Sequence, residues 1–360
     1  MYGADPANLS PIWVIELFCL EHLQSLDCDR THRRLASGWG GFDCNSAQFP
    51  LPQCLDPRLL RQLLSFFRLE ICGRDAMCSG SEGRVARKPI ITLTTDFGLN
   101  DHFIGTMKGV ILNIEPDAEI IDICHSVQAF DVLDGALTIS QAYSYFPSST
   151  VHMVIVDPGV GTARRPLIVT SERHHFVAPD NGVLSLIYQK EERLSARHVT
   201  ADHYYLQPIS QTFHARDIFS PVAAYLAKGV DPGKFGEEVT DFVKFAAPKP
   251  KAANENTLRG VVLKVDRFGN LITNITPQDA PMLFAEQPPA FKIVVGKREI
   301  TEIKPAYALG APGEVFGILG SMGYLEIAAN RAAAAQILGV NRGTDVNIVL
   351  GEAAAACNGQ

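Results

Sequence analysis

An aspartate and an arginine share one polar, glycine-containing segment of the chain. In residues 157–165, Asp157 and Arg164 stand seven positions apart around two glycines, so the two charges can face each other across a loop. The segment lacks the G-x-x-x-x-G-K-[ST] spacing of a phosphate loop and the G-x-G-x-x-G of dinucleotide folds, which disfavours phosphate binding. Taken alone, these residues equally suit a tight turn pinned by an Asp–Arg pair.

A histidine that could take part in proton chemistry precedes an apolar helical run. His214 lies in the segment Thr212–Asp217, at the expected entrance of that helix. The positive end of a helix dipole tends to keep an imidazole neutral, and a neutral imidazole accepts a proton. Lone loop histidines are more often incidental, so His214 by itself identifies no reaction.

A third polar segment, 94–98, follows a short apolar run and contains Asp96, with Asp101 close behind. A carboxylate at this point can accept hydrogen bonds from two hydroxyls, such as a ribose diol, and its charge strengthens them. The alternative is a loop aspartate that caps the helix beginning near His102. Spacing alone does not decide between these interpretations.

Two further polar patches lie in the second half of the chain. They are Asp266–Asn270 with Thr273 and Asn274, and the segment 321–330. Each patch is also typical of a turn between two strands, and neither patch alone identifies a ligand.

Strands that alternate with helices must position the first three segments. Strands are predicted over 90–95, 118–124 and 151–156, and helices over 103–114 and after Asp131, which can cap the second helix. This alternation predicts an α/β fold with a mostly parallel sheet covered on both faces. Ligands of such sheets bind at the carboxyl ends of the strands.

The pattern changes to short strands and turns beyond a proline-bearing linker. Six strands are predicted, over 260–265, 271–275, 291–295, 315–319, 324–327 and 346–350, with one helix over 332–338. The sequence therefore predicts four regions: an extension of unknown role (1–88), an α/β domain (89–245), a linker (246–257) and a smaller, mainly β domain (258–352).

Composition separates the first region from the rest and excludes some classes of partner. Residues 1–88 hold six of the eight cysteines, but without a C-x-x-C pair a zinc module is disfavoured. The net charge of −7 argues against nucleic acid as the main partner. No apolar run reaches the roughly 18–20 residues that span a bilayer, and no secretory pattern opens the chain, so we expect no membrane partner and a cytoplasmic location.

The motifs in series resemble one family. T-D-F-G, D-P-G-V-G-T-x-R, D-N-G, F-H-x-R-D, D-R-F-G-N-L-x-T-N and S-x-G-x-L-E-I-A-x-N follow one another between residues 89 and 350. In this order they resemble the S-adenosyl-L-methionine (SAM) hydroxide adenosyltransferases, which are related to SAM-dependent fluorinating and chlorinating enzymes. The resemblance implies an α/β domain, a C-terminal β-barrel-like domain, and a homotrimer that binds SAM between neighbouring subunits.

The resemblance also implies roles for individual residues in binding SAM. Asp96 matches the carboxylate that holds the ribose hydroxyls, and Phe130 falls where the halogenases have a tryptophan beside the sugar. Asp266 matches the acid that meets the methionine ammonium, and Asn270 matches the amide that reads adenine. The remaining implied substrate-binding residues are Asp101, Tyr307 as a stacking partner, Ser321 at the methionine carboxylate, and Ala329 and Arg331 near adenine.

The implied catalytic residues are Asp157, Arg164 and His214, which match the family's Asp–Arg–His triad. In the halogenases the position of Asp157 looks like a tyrosine, so this chain resembles the branch that uses water. The expected reaction is hydrolysis of SAM to adenosine and methionine, without metal or cofactor. Water is activated either by the charge of Arg164 or by His214 as general base. The alternatives are a SAM sensor without turnover and a SAM-dependent halogenase.

Two departures from the family pattern concern substrate contacts. Ala215 stands where glycine is frequent, and Met322 replaces a more usual polar or small residue beside Ser321.

Overall fold

The structure is a computed structural model that describes residues 88–351. The predictions for residues 1–87, including the six cysteines, lie outside the described residues.

A seven-stranded sheet forms the first part of the described chain. Its strands in chain order are β1 (Ile90–Thr95), β2 (Glu119–Cys124), β3 (Thr150–Ile155), β4 (Pro166–Ser171), β5 (His174–Pro179), β6 (Leu194–His198) and β7 (Glu238–Val239). Their spatial order is β2-β1-β3-β5-β4-β6-β7. β1 runs parallel to β2 and β3, and β3 runs parallel to β5, whereas β4 is antiparallel to β5 and β6. The predicted mostly parallel α/β sheet is confirmed.

Helices cover both faces of this sheet. They are α1 (Phe103–Ile114), α2 (Val132–Ala142), α3 (Ser185–Lys190) and α4 (Ser220–Ala227), the last preceded by one π-helical turn, Ala215–Phe219. Met107 of α1 and Val222 of α4 are fully buried on one face, and Ile139 of α2 is fully buried on the other. The side chain of Asp131 accepts a hydrogen bond from the Asp134 N–H at 3.1 Å, which confirms the predicted cap of α2.

An antiparallel sheet of eight strands forms the second part. Its strands are β8 (Lys251–Asn254), β9 (Thr257–Val265), β10 (Leu271–Thr273), β11 (Phe291–Val295), β12 (Arg298–Ile300), β13 (Val315–Leu319), β14 (Leu325–Ala329) and β15 (Asp345–Leu350), with helix α5 at Ala334–Leu338. The order is β12-β11-β15-β9-β10-β14-β13, and β8 pairs with β9. A bridge between Ile303 and Gly317 brings the segment after β12 against β13, so the sheet nearly closes into the expected barrel.

Helix α2 carries the contacts between the two sheets. Leu263 of β9 packs in one apolar cluster with Ala136 and Leu137 of α2. Lys264 forms an ion pair with Asp134 at 2.5 Å, and Arg342 pairs with Asp131 at the start of the same helix. Within residues 88–351, no helix is long and apolar enough to cross a membrane.

Candidate functional site

Two aspartates follow neighbouring parallel strands at the carboxyl edge of the first sheet. β1 and β3 are paired up to Thr95 and Ile155, so Asp96 and Asp157 lie side by side just beyond the strand ends. Burial raises the pKa of Asp96, and the negative charge of Asp157 adds to that rise, whereas a hydrogen bond from Phe130 opposes it. This is the edge at which the fold predicts a ligand.

Asp157, Arg164 and His214 form one hydrogen-bonded group at that edge. Arg164 Nε donates to both carboxylate oxygens of Asp157, at 3.1 and 2.9 Å, and Nη2 lies 2.9 Å from His214 Nδ1. The side chains of Arg164 and Asp157 are 8% and 5% exposed, and the guanidinium carbon lies 5.1 Å from the centre of the Phe219 ring. The structure thus brings together the three residues predicted to be catalytic.

The contact with Arg164 fixes the tautomer of His214. A guanidinium has only N–H donors, so Nδ1 must accept, and the proton of the neutral imidazole is on Nε2. Burial and the positive charge of Arg164 lower the pKa of His214, against the opposing effects of Asp157 and Asp217. In this state Nε2–H is a hydrogen-bond donor, which favours polarisation of a bound water over proton abstraction by His214.

A glycine allows the Asp157–Arg165 loop to lie against the segment that leads to His214. Gly161 has a φ of +77°, a conformation that L side chains rarely adopt. A Cβ at this position would overlap the carbonyl oxygen of Gln211. Glycine is therefore required for the close approach that brings Arg164 within reach of the imidazole.

The D-N-G motif anchors the same loop from β5. Asn181 Nδ2 donates to the carbonyl of Val156 at 2.8 Å, which fixes the chain just before Asp157. Arg165 Nε donates to Asp180 Oδ2, also at 2.8 Å. Asp180 and Asn181 therefore position the 157–165 loop.

His214 is placed by an irregular helix start. Pro221 of α4 has no N–H, so the Asp217 carbonyl four residues earlier receives no helical hydrogen bond from it. That carbonyl accepts instead from the Leu206 N–H at 2.8 Å. π-Helical turns are rare and frequently occur at functional sites, and this one directly follows His214.

The buried Asp217 fixes the loop before His214. Its side chain is 0% exposed and accepts from the Ser210 N–H at 2.8 Å and from Arg216 Nε at 2.6 Å. Sequence analysis assigned no role to Asp180, Asn181 or Asp217, although the D-N-G and F-H-x-R-D motifs contain them. Their polar types within these motifs, and for Asp217 at an expected helix start, were the available signal.

The structure removes one interpretation of Asp96. Asp96 Oδ2 accepts from the N–H of Phe130 at 2.8 Å, and His102, the residue that precedes α1, makes no side-chain cap. Phe130 adopts a positive φ of 65° and is 74% exposed, beside the carboxylate. Asp96 is therefore a loop-bridging group at the sheet edge and not a cap of α1. Asp101, five residues further along, is exposed, and its carboxylate accepts no hydrogen bond from residues 88–351.

A second group of predicted residues lies on the barrel. Asp266 Oδ1 accepts from the N–H groups of Phe268 and Asn270, at 2.9 and 2.8 Å. Its Oδ2 accepts from Asn270 Nδ2 at 2.9 Å. Asp266 was predicted to bind the methionine ammonium, and Asn270 was predicted to bind adenine. Their side chains thus hydrogen-bond to each other in one turn between β9 and β10.

The other predicted barrel residues lie around β13 and β14. The hydroxyl of Tyr307 donates a hydrogen bond to Glu326 Oε2 at 2.9 Å. Burial, this hydrogen bond and the negative charges of Glu326 and Asp266 together raise the pKa of Tyr307 to about 12. Ser321 is exposed in the turn between β13 and β14. Ala329 ends β14, and Arg331 follows with a φ of +54°.

The predicted site residues of one chain fall into two groups, a sheet-edge group and a barrel group. Among residues 88–351, no hydrogen bond or ion pair joins Asp96, Asp157, Arg164 or His214 to Asp266, Asn270, Tyr307 or Ser321. The class of this protein is defined by two features. One is an α/β sheet with a buried Asp–Arg–His group at its ligand edge, and the other is the antiparallel barrel that follows it.

Comparison with known proteins identifies the family within this class. The profile of the SAM hydroxide adenosyltransferase N-terminal domain matches residues 91–236, and that of the C-terminal domain matches residues 260–347. The chain therefore belongs to the SAM hydroxide adenosyltransferase family.

Curated relatives in this family bear enzyme names. The (R)-S-adenosyl-L-methionine hydrolase of Methanocaldococcus jannaschii is 40% identical over 52% of this chain and 66% of its own length. The protein of that name from Salinispora tropica is 34% identical over 74% of this chain and its whole length. A fluorinase of Nocardia brasiliensis is 29% identical over 74% of this chain and 98% of its own length. A crystal structure of an uncharacterised conserved protein from Thermotoga maritima is 36% identical, covers 72% of this chain and 99% of its own, and superposes with a TM-score of 0.67.

Proposed function

We propose that this protein hydrolyses SAM to adenosine and L-methionine by in-line attack of a water-derived nucleophile on C5′ of the ribose. One observation carries the mechanism: Arg164 bonds both Asp157 and the Nδ1 of His214, beside Asp96 at the ligand edge of the sheet. Curated relatives at 32–40% identity that are named hydrolases support the substrate.

The difficult step in this reaction is to make water nucleophilic. The sulfonium of SAM is already a good leaving group, so C5′–S cleavage needs no acid. The water oxygen forms the C5′–O bond, the C5′–S electrons pass to sulfur to give methionine, and one water proton passes to bulk solvent. Arg164 stabilises the developing hydroxide by charge, and Nε2–H of His214 orients it. Asp157 holds Arg164 in place.

We propose the remaining substrate contacts from the family resemblance. Asp96 holds the ribose hydroxyls with Phe130 beside the sugar, and Asp266 supplies negative charge near the methionine ammonium. The names of the relatives specify the (R) epimer of SAM, so we propose that the (R)-sulfonium is the preferred form.

We propose further that the protein is a homotrimer with sites between subunits. The lack of polar contacts between the sheet-edge and barrel groups within residues 88–351 of one chain supports a site completed by a neighbouring copy. The reaction balances without a cofactor, and none is proposed.

Incubation of the purified protein with an epimeric mixture of SAM, followed by chromatography, tests the function. We expect adenosine and methionine in equal amounts, with faster loss of the (R) epimer. The same incubation with chloride would yield 5′-chloro-5′-deoxyadenosine if the protein were a halogenase. Tight binding with unchanged SAM would establish a sensor instead.

A further inference from the structure

Glu326 is a buried carboxylate in the middle of the barrel group. It lies on β14 and is 5% exposed. Its strand neighbours in register are Ile272 of β10 and Ile318 of β13. Sequence analysis gave it no role.

One carboxylate oxygen of Glu326 is left for a ligand. Oε2 accepts from the Tyr307 hydroxyl at 2.9 Å. Oε1 lies against Gly320, where any Cβ would overlap it, and makes no hydrogen bond to residues 88–351. The absence of a side chain at Gly320, next to Ser321, thus leaves room for this carboxylate.

No cation of the described chain neutralises this carboxylate. The basic residue in its cross-strand row is Lys264, opposite Ile272, and its ammonium is engaged by Asp134 at 2.5 Å. Burial raises the pKa of Glu326, and the negative charge of Asp266 adds to that rise, against the opposing hydrogen bond from Tyr307. A buried carboxylate is costly without a positive partner, so a bound cation would stabilise its charged form.

Asp266 is less available than Glu326. Three hydrogen bonds within its own turn already occupy both oxygens of Asp266. Glu326 has one local donor and an oxygen without one.

We propose that Glu326 binds the α-ammonium group of the methionine half of SAM through Oε1, with Asp266 adding negative charge nearby. The proposal rests on the proposed function, because it takes SAM as the ligand. It makes Glu326 a substrate-binding residue that selects for the amino group.

The test compares SAM with an analogue in which hydrogen replaces the α-amino group. In Glu326→Gln we expect the KM for SAM to rise about tenfold or more, with kcat within threefold, because a hydrogen bond to a charged group is lost. The KM for the analogue should not change. Glu299→Gln is the matched control, since Glu299 is exposed and paired with Lys292 at 2.8 Å.

Tyr307→Phe separates binding from positioning. It removes the donor to Oε2 and leaves the carboxylate, so the preference for SAM over the analogue should survive. The proposal would be overturned if Glu326→Gln and Tyr307→Phe lost the preference for SAM equally. It would also be overturned if Glu326→Gln lost the same affinity for SAM and for the analogue.

Two measurements keep this test separate from the test of the function. Calorimetry measures the binding of SAM and of the analogue when Glu326→Gln is combined with Arg164→Ala, so the result does not depend on turnover. If the unsubstituted protein does not hydrolyse SAM, that result counts against the proposed function and not against the role of Glu326. A crystal structure of the unsubstituted protein with SAM should place the ammonium about 3 Å from Oε1. An ammonium far from that oxygen would refute the role of Glu326.

Discussion

At the scale of single residues, Arg164 links the other two members of the sheet-edge group. It neutralises Asp157 and occupies Nδ1 of His214, so each neighbour is fixed by the same guanidinium. The arrangement leaves Nε2–H as the group that His214 can offer to a ligand. Hydroxide stabilisation by positive charge therefore explains the geometry better than a histidine base.

Replacement of Arg164 by alanine tests this role. We expect SAM affinity to stay within about tenfold, ~1.4 kcal/mol, and kcat to fall by a much larger factor, since the charge acts mainly on the developing hydroxide. Calorimetry and single-turnover kinetics measure the two effects. Arg193→Ala is the control, because the Arg193 side chain is 82% exposed and, among residues 88–351, pairs only with Glu172. Equal losses in binding and rate would show that Arg164 serves substrate binding.

At the scale of elements, two irregular features place the side chains of Arg164 and His214. The 157–165 loop needs a left-handed glycine to approach Gln211, and the π-turn 215–219 sets the entry of α4 behind His214. Neither feature follows from hydrophobic periodicity, which predicted the regular parts of the same elements.

Substitution of Gly161 by alanine should damage both stability and turnover. The positive φ costs roughly 1–2 kcal/mol for an L residue, and the overlap with Gln211 adds about 1–3 kcal/mol. Gly313→Ala is the matched control, because Gly313 has a φ of +76° but nothing within 4 Å of an added Cβ. Urea unfolding and kcat measurements compare the two. Similar losses in both variants would mean that backbone strain alone matters at Gly161.

At the scale of the whole molecule, the two residue groups of one chain are not joined by polar contacts. Helix α2 holds the barrel to the sheet through Lys264 and Arg342, while the sheet-edge and barrel groups stay separate. A site shared between copies therefore needs a defined assembly.

Mixing two inactive variants tests the shared site. Arg164→Ala lacks the sheet-edge function and Asp266→Ala lacks the barrel function, so a mixed trimer contains some sites with both intact halves. Unfolding and refolding an equal mixture should restore about a quarter of the unsubstituted activity, and light scattering should give the mass of a trimer. Activity no greater than that of either variant alone would indicate that each chain forms its own site.

A buried histidine pair makes the fold sensitive to acid. His152 is 0% exposed, and its ring nitrogens lie 2.7 Å from Thr92 Oγ1 and 3.3 Å from His174 Nδ1. Burial lowers the pKa of His152 from 6.5 to about 3, and the neighbouring histidines add to the effect. The unfolded chain therefore binds the proton first, so stability is complete above about pH 6.5 and declines toward pH 3.

Replacement of His152 by glutamine should flatten this decline. The slope of unfolding free energy against pH should fall by up to about 1.4 kcal/mol per pH unit between pH 6 and 4, as measured by urea titrations. His203→Gln is the control, since His203 is exposed. An unchanged slope in His152→Gln would assign the acid sensitivity to other groups.

The sequence by itself determined the elements with strong periodicity and the residue types of the sheet-edge group. The strand 90–95, the helix 103–114 and the cap at Asp131 are confirmed to the residue, because local propensity and burial pattern agree there. Strand β8 lies inside the segment predicted to be a linker, and its pairing with β9 depends on partners that its own residues do not reveal.

Only the tertiary structure decided how the polar residues act. The tautomer of His214 depends on Arg164, fifty residues away, and the roles of Asp180, Asn181 and Asp217 depend on carbonyl and N–H groups of other segments. The open oxygen of Glu326 likewise depends on Gly320 and Tyr307. Periodicity reports which face of an element is buried, whereas a hydrogen bond requires the position of a partner that the chain brings near only when it folds.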